Sequence, residues 1–139
     1  MKNKKYVVGL VFDNTKRVML IKKNRPDWQN GYFNGVGGEI KQNEKPIDAI
    51  KRECKEESNL YINNWTEYKK TIFDNGVVLY YYCSLITEKK LNEFKSKTDE
   101  IISIFNSNNI PENTHKDIKD FIKDFISRYE YKINEQKHT

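Results

Sequence analysis

The sequence predicts an α+β fold, α/β in the broad sense, on three observations. β-branched and aliphatic runs are separated by turn signals, a Glu-rich helical segment sits between two pairs of such runs, and an apolar stripe at helical spacing closes the chain. Tyr6 to Phe12 and Val18 to Lys22 flank Asp13-Asn14-Thr15 and read as a hairpin. Asn24 to Tyr32 is a polar loop with Pro26, Trp28 and Gly31. Phe33 to Ile40 holds three glycines and reads as a short strand leading into the loop before a helix from about Pro46 to Ser58. Leu60 to Phe73 and Val77 to Leu85, joined by Asp74-Asn75-Gly76, read as a second long hairpin. Ile101 to Phe105 is a further short strand. Ile118, Phe121, Ile122, Phe125, Ile126 and Tyr129 mark an amphipathic helix from about Thr114 to Tyr131, and the residues from about Ile133 read as a frayed tail.

At 139 residues the chain fits one domain with a real core. A net charge of +5, with 32% charged residues, gives a mild preference for anionic partners, but the lysines are too evenly scattered to define a nucleic-acid surface. The N-terminal apolar run is short and broken by Asp13, and no stretch reaches membrane-spanning length, so a cytoplasmic protein is expected. Cys54 and Cys83 lie in apolar patterns without pair or cluster spacing, which points to buried free thiols rather than a disulfide or zinc site. Tyr80, Tyr81 and Tyr82 alternate faces on a strand, so at least one enters the core.

The segment from Gly38 to Leu60, GEIKQNEKPIDAIKRECKEESNL, carries the chemistry. At about 100° per residue, Glu53, Glu56 and Glu57 share one arc of the helix, while Ile47, Ile50 and Cys54 share an adjoining one that can pack on a sheet. Clustered carboxylates raise one another's pKa unless a cation neutralises them. Hard oxygen ligands of this kind suit Mg²⁺ or Mn²⁺, which in turn suit phosphates. Pro46 is well placed to open the helix, although Lys45 at the N-cap has no side-chain acceptor. Asn59 suits a left-handed C-terminal residue.

These residues resemble the Nudix box, G-x5-E-x7-R-E-U-x-E-E-x-G-U with U aliphatic. Gly38, Glu44, Arg52, Glu53, Glu56, Glu57 and Leu60 fall on it in register, while Cys54 and Asn59 replace an aliphatic residue and a glycine. The resemblance implies an α/β/α sandwich with a mixed sheet and a catalytic helix following a Gly-rich loop. It also implies Mg²⁺-assisted attack of water on a phosphoanhydride, with Glu53, Glu56 and Glu57 as metal ligands. The Gly37 carbonyl corresponds to a further ligand in MutT-type members. Glu100, with Asp99 as substitute, resembles a downstream carboxylate that approaches the metals. Glu53 is the first candidate for general base and Glu100 the second. Gly38, Glu44 and Arg52 would support the scaffold.

Outside the box, FNGVGGE resembles a stretch in enzymes that hydrolyse oxidised purine nucleoside triphosphates, which implies Asn34 as the leading candidate for a base contact. Asn113 resembles a purine-reading position of bacterial MutT enzymes and is also a candidate N-cap. Lys23 and Arg25 are phosphate candidates, and Trp28 a cover for the base. The implied substrate is a purine nucleoside triphosphate, possibly oxidised, cleaved to monophosphate and pyrophosphate. ADP-ribose, diadenosine polyphosphates, nucleotide sugars and 5′-triphosphate RNA ends are alternatives, and a nucleotide-sensing module without catalysis is a further one. A monomer and a homodimer are both compatible with the sequence.

Overall fold

The computed structural model describes residues 4–137, with side chains described through Glu130. Along the chain run β1 (Lys5–Asp13), β2 (Arg17–Lys22), β3 (Phe33–Asn34), β4 (Val36–Glu39), α1 (Pro46–Ser58), β5 (Thr66–Ile72), β6 (Val78–Ile86), α2 (Glu88–Leu91), β7 (Ile101–Asn106) and α3 (Lys116–Lys137). The strands form one mixed sheet. Its spine is a parallel pairing of β1 with β6, from Lys5 opposite Val78 to Asp13 opposite Ile86.

The other edge of β1 has two partners. Val11 and Phe12 pair with Met19 and Val18 of β2, whereas Tyr6 to Gly9 pair with Glu39 to Val36 of β4. The far end of β2 pairs with β3 through Ile21–Asn34 and Lys22–Phe33, and its other edge carries β7. β1 and β2 therefore splay apart beyond their turn, and residues 33–39 fill the wedge, crossing from one strand to the other at Gly35. The crossing requires glycine, since a Cβ on Gly35 would meet the Gly9 carbonyl oxygen and one on Gly37 the Val7 carbonyl oxygen.

Period-two alternation distributes side chains to two cores. Val7, Val11, Met19, Ile21 and Tyr82 pack with Ala49, Ile50 and Cys54 of α1 and with Leu91 of α2. Val8, Leu10, Phe12, Val18, Leu20 and Tyr81 pack with Ile118, Phe121 and Ile122 of α3. The result is the helix–sheet–helix sandwich expected from the sequence. Alternation of Tyr80, Tyr81 and Tyr82 holds, with Tyr81 on the α3 side and its neighbours on the α1 side.

Several boundaries differ from the sequence reading. Residues 60–65 are not strand: Leu60, Ile62 and Trp65 are apolar because they are buried beside α1, with Trp65 Nε1 donating to the Ile62 carbonyl at 2.9 Å. Phe33 to Ile40 is two short strands, not one, because its pairing partner changes at Gly35. The four-residue α2 was not anticipated; it is capped by Thr87, whose Oγ1 accepts from Lys90 N, and it buries Leu91 fully. α3 begins at Lys116, since Thr114 bridges to Phe33, and it runs to Lys137. Residues 138–139 of the expected tail lie outside the described residues. Cys54 is buried and Cys83 only partly so, and both are free. Among the described residues no helix is long and apolar enough to cross a membrane.

Candidate active site

α1 is placed by its apolar arc: Ala49, Ile50 and Cys54 are fully buried against β1 and the 60–65 segment. Gly9 lets α1 approach, since a Cβ there would lie 2.6 Å from Ile50 Cδ1 and 2.9 Å from a Trp65 ring carbon. Lys45 makes no side-chain cap, and Asn59 closes the helix at φ 63°, its N–H donating to the Lys55 carbonyl. With these ends fixed, the polar arc of α1 faces residues 37–44.

Arg52 organises that arc. Its Nε and Nη2 donate to the two oxygens of Glu44 at 2.8 and 2.9 Å, a paired geometry that fixes the guanidinium plane. Nη2 also reaches the Glu39 carbonyl, and Nη1 donates to Glu53 at 2.8 Å and to Glu56 at 3.3 Å. Hydrogen bonds from Arg52 lower the pKa of Glu44, and Glu44 raises that of Arg52. Glu44 thus stays ionised as the anchor of the network.

Glu57 differs from its neighbours. It is 6% exposed and accepts from Gly37 N at 2.8 Å, and burial pushes its pKa up to about 8 despite that bond and the nearby Lys23 charge. The Glu53 and Glu100 charges add to the rise. Burial also raises Glu53, outweighing Arg52. The Glu53 carboxylate lies against Gly38, where a Cβ would come within 2.6 Å of its Oε1. Glu56 is half exposed.

Glu100 is buried and already engaged, accepting from Lys23 Nζ at 3.0 Å and from Asn24 N at 2.6 Å. Its neighbour Asp99 takes Arg25 Nη2 with both oxygens at 2.7 Å, on the surface. The acidic pair at the start of β7 therefore ties down the chain leaving β2.

A buried carboxylate of raised pKa beside two more carboxylates is the environment a hard divalent cation relieves, so the donor set fits such an ion chemically. Among the described residues no three acidic, His or Cys groups stand together ready to enclose one. Glu53 and Glu56 both face Arg52 instead.

A cleft of about 590 Å³ opens beside this cluster, lined by Lys23, Gly37 and Gly38, by Trp28, Gln29 and Asn34, by His115, and by Phe73 and Asn75 of the β5–β6 turn. Trp28 is 70% exposed, with its ring edge-on to His115 at 5.7 Å, and Tyr32 stacks on His115 at 5.4 Å. Of the residues singled out in the sequence, Lys23, Trp28, Asn34, Gly37 and Gly38 line the cleft. Arg25 and Asn113 are not in its lining; Asn113 Nδ2 donates to the Gly31 carbonyl at 2.5 Å, pinning the polar loop to the chain before α3. Gln29 and His115 escaped sequence reading. A loop Gln carries no pattern, and His115 joins the site only through folding, 86 residues away from Gln29.

A carboxylate-bearing helix set beside a glycine-lined cleft defines the class of site, and comparison names the family. The NUDIX domain family matches residues 2–125, and the chain belongs to that family. Its fold is shared by a MutT NUDIX hydrolase from Burkholderia pseudomallei (TM-score 0.73, 17% identity, 88% of this chain and 98% of that one). A NUDIX-family hydrolase from Clostridium perfringens is similar (TM-score 0.69, 17% identity, 89% and 96%). A MutT/nudix family protein from Enterococcus faecalis matches with TM-score 0.66 and 22% identity over 76% of this chain, which spans 44% of that protein. No curated protein matches the sequence.

Proposed function

We propose that this protein is a Mg²⁺-dependent pyrophosphohydrolase, Mn²⁺ serving as a substitute, that cleaves a purine nucleoside triphosphate, ordinary or oxidised, to monophosphate and pyrophosphate in the cytoplasm. The observation that carries the proposal is the junction of two chemistries in one cleft. A carboxylate helix adjoins Gly37 and Gly38, and an exposed Trp with amide side chains lines the same space.

Glu53, Glu56 and Glu57, with the Gly37 carbonyl and Glu100 as further candidates, would hold the ion, whose contribution is to neutralise phosphate charge and activate water. Lys23 lies in the cleft within reach of anionic phosphate oxygens, and its bond to Glu100 keeps it extended there. Arg25 sits on the same loop, paired with Asp99, and serves the phosphates only by exchanging that partner. Arg52 and Glu44 orient Glu53 and Glu56. The pKa of Glu53, raised by burial, suits it to take a proton from the attacking water, with Glu100 as second candidate. Trp28 offers an open ring face to a base, and Asn34 an amide beside it. Asn113 supports the base loop through Gly31.

The test is incubation with Mg²⁺ and a panel of ordinary and oxidised nucleoside triphosphates, ADP-ribose, diadenosine polyphosphates and triphosphate-ended RNA, with products identified by mass. Pyrophosphate and a monophosphate are expected from a purine triphosphate, and Glu57→Gln should abolish their release. Cleavage of another panel member alone, or a full rate in Glu57→Gln, would overturn the proposal.

A further inference from the structure

The polarity of one cleft wall is dictated by a single backbone amide. Gly35 N donates to Asn34 Oδ1 at 2.8 Å, which fixes the orientation of the Asn34 amide. Asn34 Nδ2 must then point the other way, and it donates to Gln29 Oε1 at 3.2 Å. The same oxygen is 3.2 Å from His115 Nε2. Since Gln29 Oε1 can only accept, His115 carries its proton on Nε2 in this arrangement. A flipped Gln29 amide would set its N–H groups against the Asn34 donor, which cannot flip without losing Gly35. The network therefore assigns every amide atom.

Its product is a wall in which the acceptor of Gln29 is used up twice while its Nε2 has no acceptor among the described residues. Gln29 lines the cleft next to Trp28, whose exposed ring can cover a base. A group placed against Gln29 finds its N–H donors, both lone pairs of the Gln29 oxygen being taken. Such a wall pairs with a ring carbonyl and opposes an exocyclic amino group, because a donor facing a donor leaves both desolvated and unpaired.

We propose that Gln29, oriented by Asn34 and His115, is a specificity-determining residue that selects nucleobases carrying a ring carbonyl over those carrying an amino group at the same position. The inference rests on the nucleotide-binding part of the function proposed above and deepens it. Neither Gln29 nor His115 takes part in the chemistry at the phosphates; both act through base binding.

Inosine and adenosine monophosphates differ at purine position 6 in this respect, and their binding can be measured without turnover. Titration calorimetry of the full chain with Mg²⁺ should show IMP binding about tenfold more tightly than AMP, the scale of one paired against one opposed donor. In Gln29→Glu, one carboxylate oxygen can still take the Asn34 and His115 donors while the other faces the base as an acceptor. The IMP-to-AMP ratio should move at least about tenfold toward AMP in that variant, whereas Gln29→Ala should weaken IMP, leave AMP no weaker and bring the two together.

Equal binding of IMP and AMP to the wild type, or a ratio unmoved by Gln29→Glu, would overturn the proposal, as would failure of either nucleotide to bind. Parallel hydrolysis assays with ITP and ATP separate the two readings. A binding preference without hydrolysis removes the pyrophosphohydrolase reading and leaves this one standing, and hydrolysis without a preference does the reverse.

Discussion

Gly38→Ala separates the fold from the site. The added Cβ would lie 2.6, 2.8 and 2.9 Å from Glu53 Oε1, Cδ and Oε2, so the carboxylate must retreat by roughly 0.8 Å to reach ordinary contact near 3.4 Å. Only the far end of a side chain stands in the way, so unfolding free energy should fall by less than about 1 kcal/mol. Retreat breaks the 2.8 Å bond from Arg52 Nη1 and moves a metal-ligand candidate by nearly 1 Å, a displacement that can cost up to about 10²-fold in turnover. Gly37→Ala, one residue earlier, supplies the contrast. Its Cβ meets the Val7 carbonyl, a backbone atom in the β1–β4 ladder, so the sheet itself must move and several kcal/mol of stability, about 3 or more, should be lost. Urea unfolding and turnover of the best wild-type substrate would be measured for both variants. Wild-type turnover in Gly38→Ala, or equal destabilisation of the two variants, would refute the placement of Glu53 against Gly38.

Three further outcomes are expected. Glu57, with its pKa raised from 4.5 to about 8, holds a proton in the metal-free fold that the unfolded chain has already lost. Its contribution is therefore full below about pH 4.5 and is lost as pH rises through 8, so in EDTA the stability of wild type relative to Glu57→Gln should decline across that window. A flat difference from pH 4.5 to 8 would contradict the buried, protonated carboxyl. Asp13 behaves oppositely: burial pushes its pKa up, but hydrogen bonds from Arg17 and Thr15 outweigh it and the net shift is down from 3.8. Its contribution is present above pH 3.8 and lost as pH falls through the lower folded value, and Asp13→Ala should cost about 2–4 kcal/mol at neutral pH in thermal or urea unfolding. A cost below 0.5 kcal/mol, roughly the scale of an ordinary surface change, would discount the turn network. Ser84 Oγ is buried without a partner among the described residues, so Ser84→Ala should be neutral or stabilising by up to about 1 kcal/mol, and clear destabilisation would reveal a missing partner.

Much of this architecture was legible because local signals agreed with it. Asp74-Asn75-Gly76 closes the β5–β6 hairpin, with Gly76 at φ 86°, and the spacing of α1 put its carboxylates on one arc and Ile50 and Cys54 on another. Non-local pairing was not legible. Nothing in Val7 or Tyr80 states that β1 and β6 run parallel, and nothing in Phe33 to Glu39 states that the segment serves two strands. Leu60, Ile62 and Trp65 misled because burial without pairing looks like a strand in one dimension. The site followed the same rule. Its carboxylates were readable from the helix period, whereas the use of Glu100 by Lys23 and Asn24, and the union of Gln29 with His115, depend on chain crossings that spacing does not encode.

The wedge between β1 and β2 has a consequence for how this molecule can change. Where the sheet parts, the glycine main chain of Gly35, Gly37 and Gly38 lines the cleft, and Gly35 and Gly37 are held against carbonyls of β1. Tyr6, Val7, Val8 and Leu79 of the central ladder also line it, while the 24–32 loop, the turn at 73–77 and the start of α3 add walls that carry no rung of that ladder. Ligand preference can therefore be rewritten residue by residue along those walls while the glycine floor and the folding core stay the same. The few positions closed to such drift are the glycines themselves.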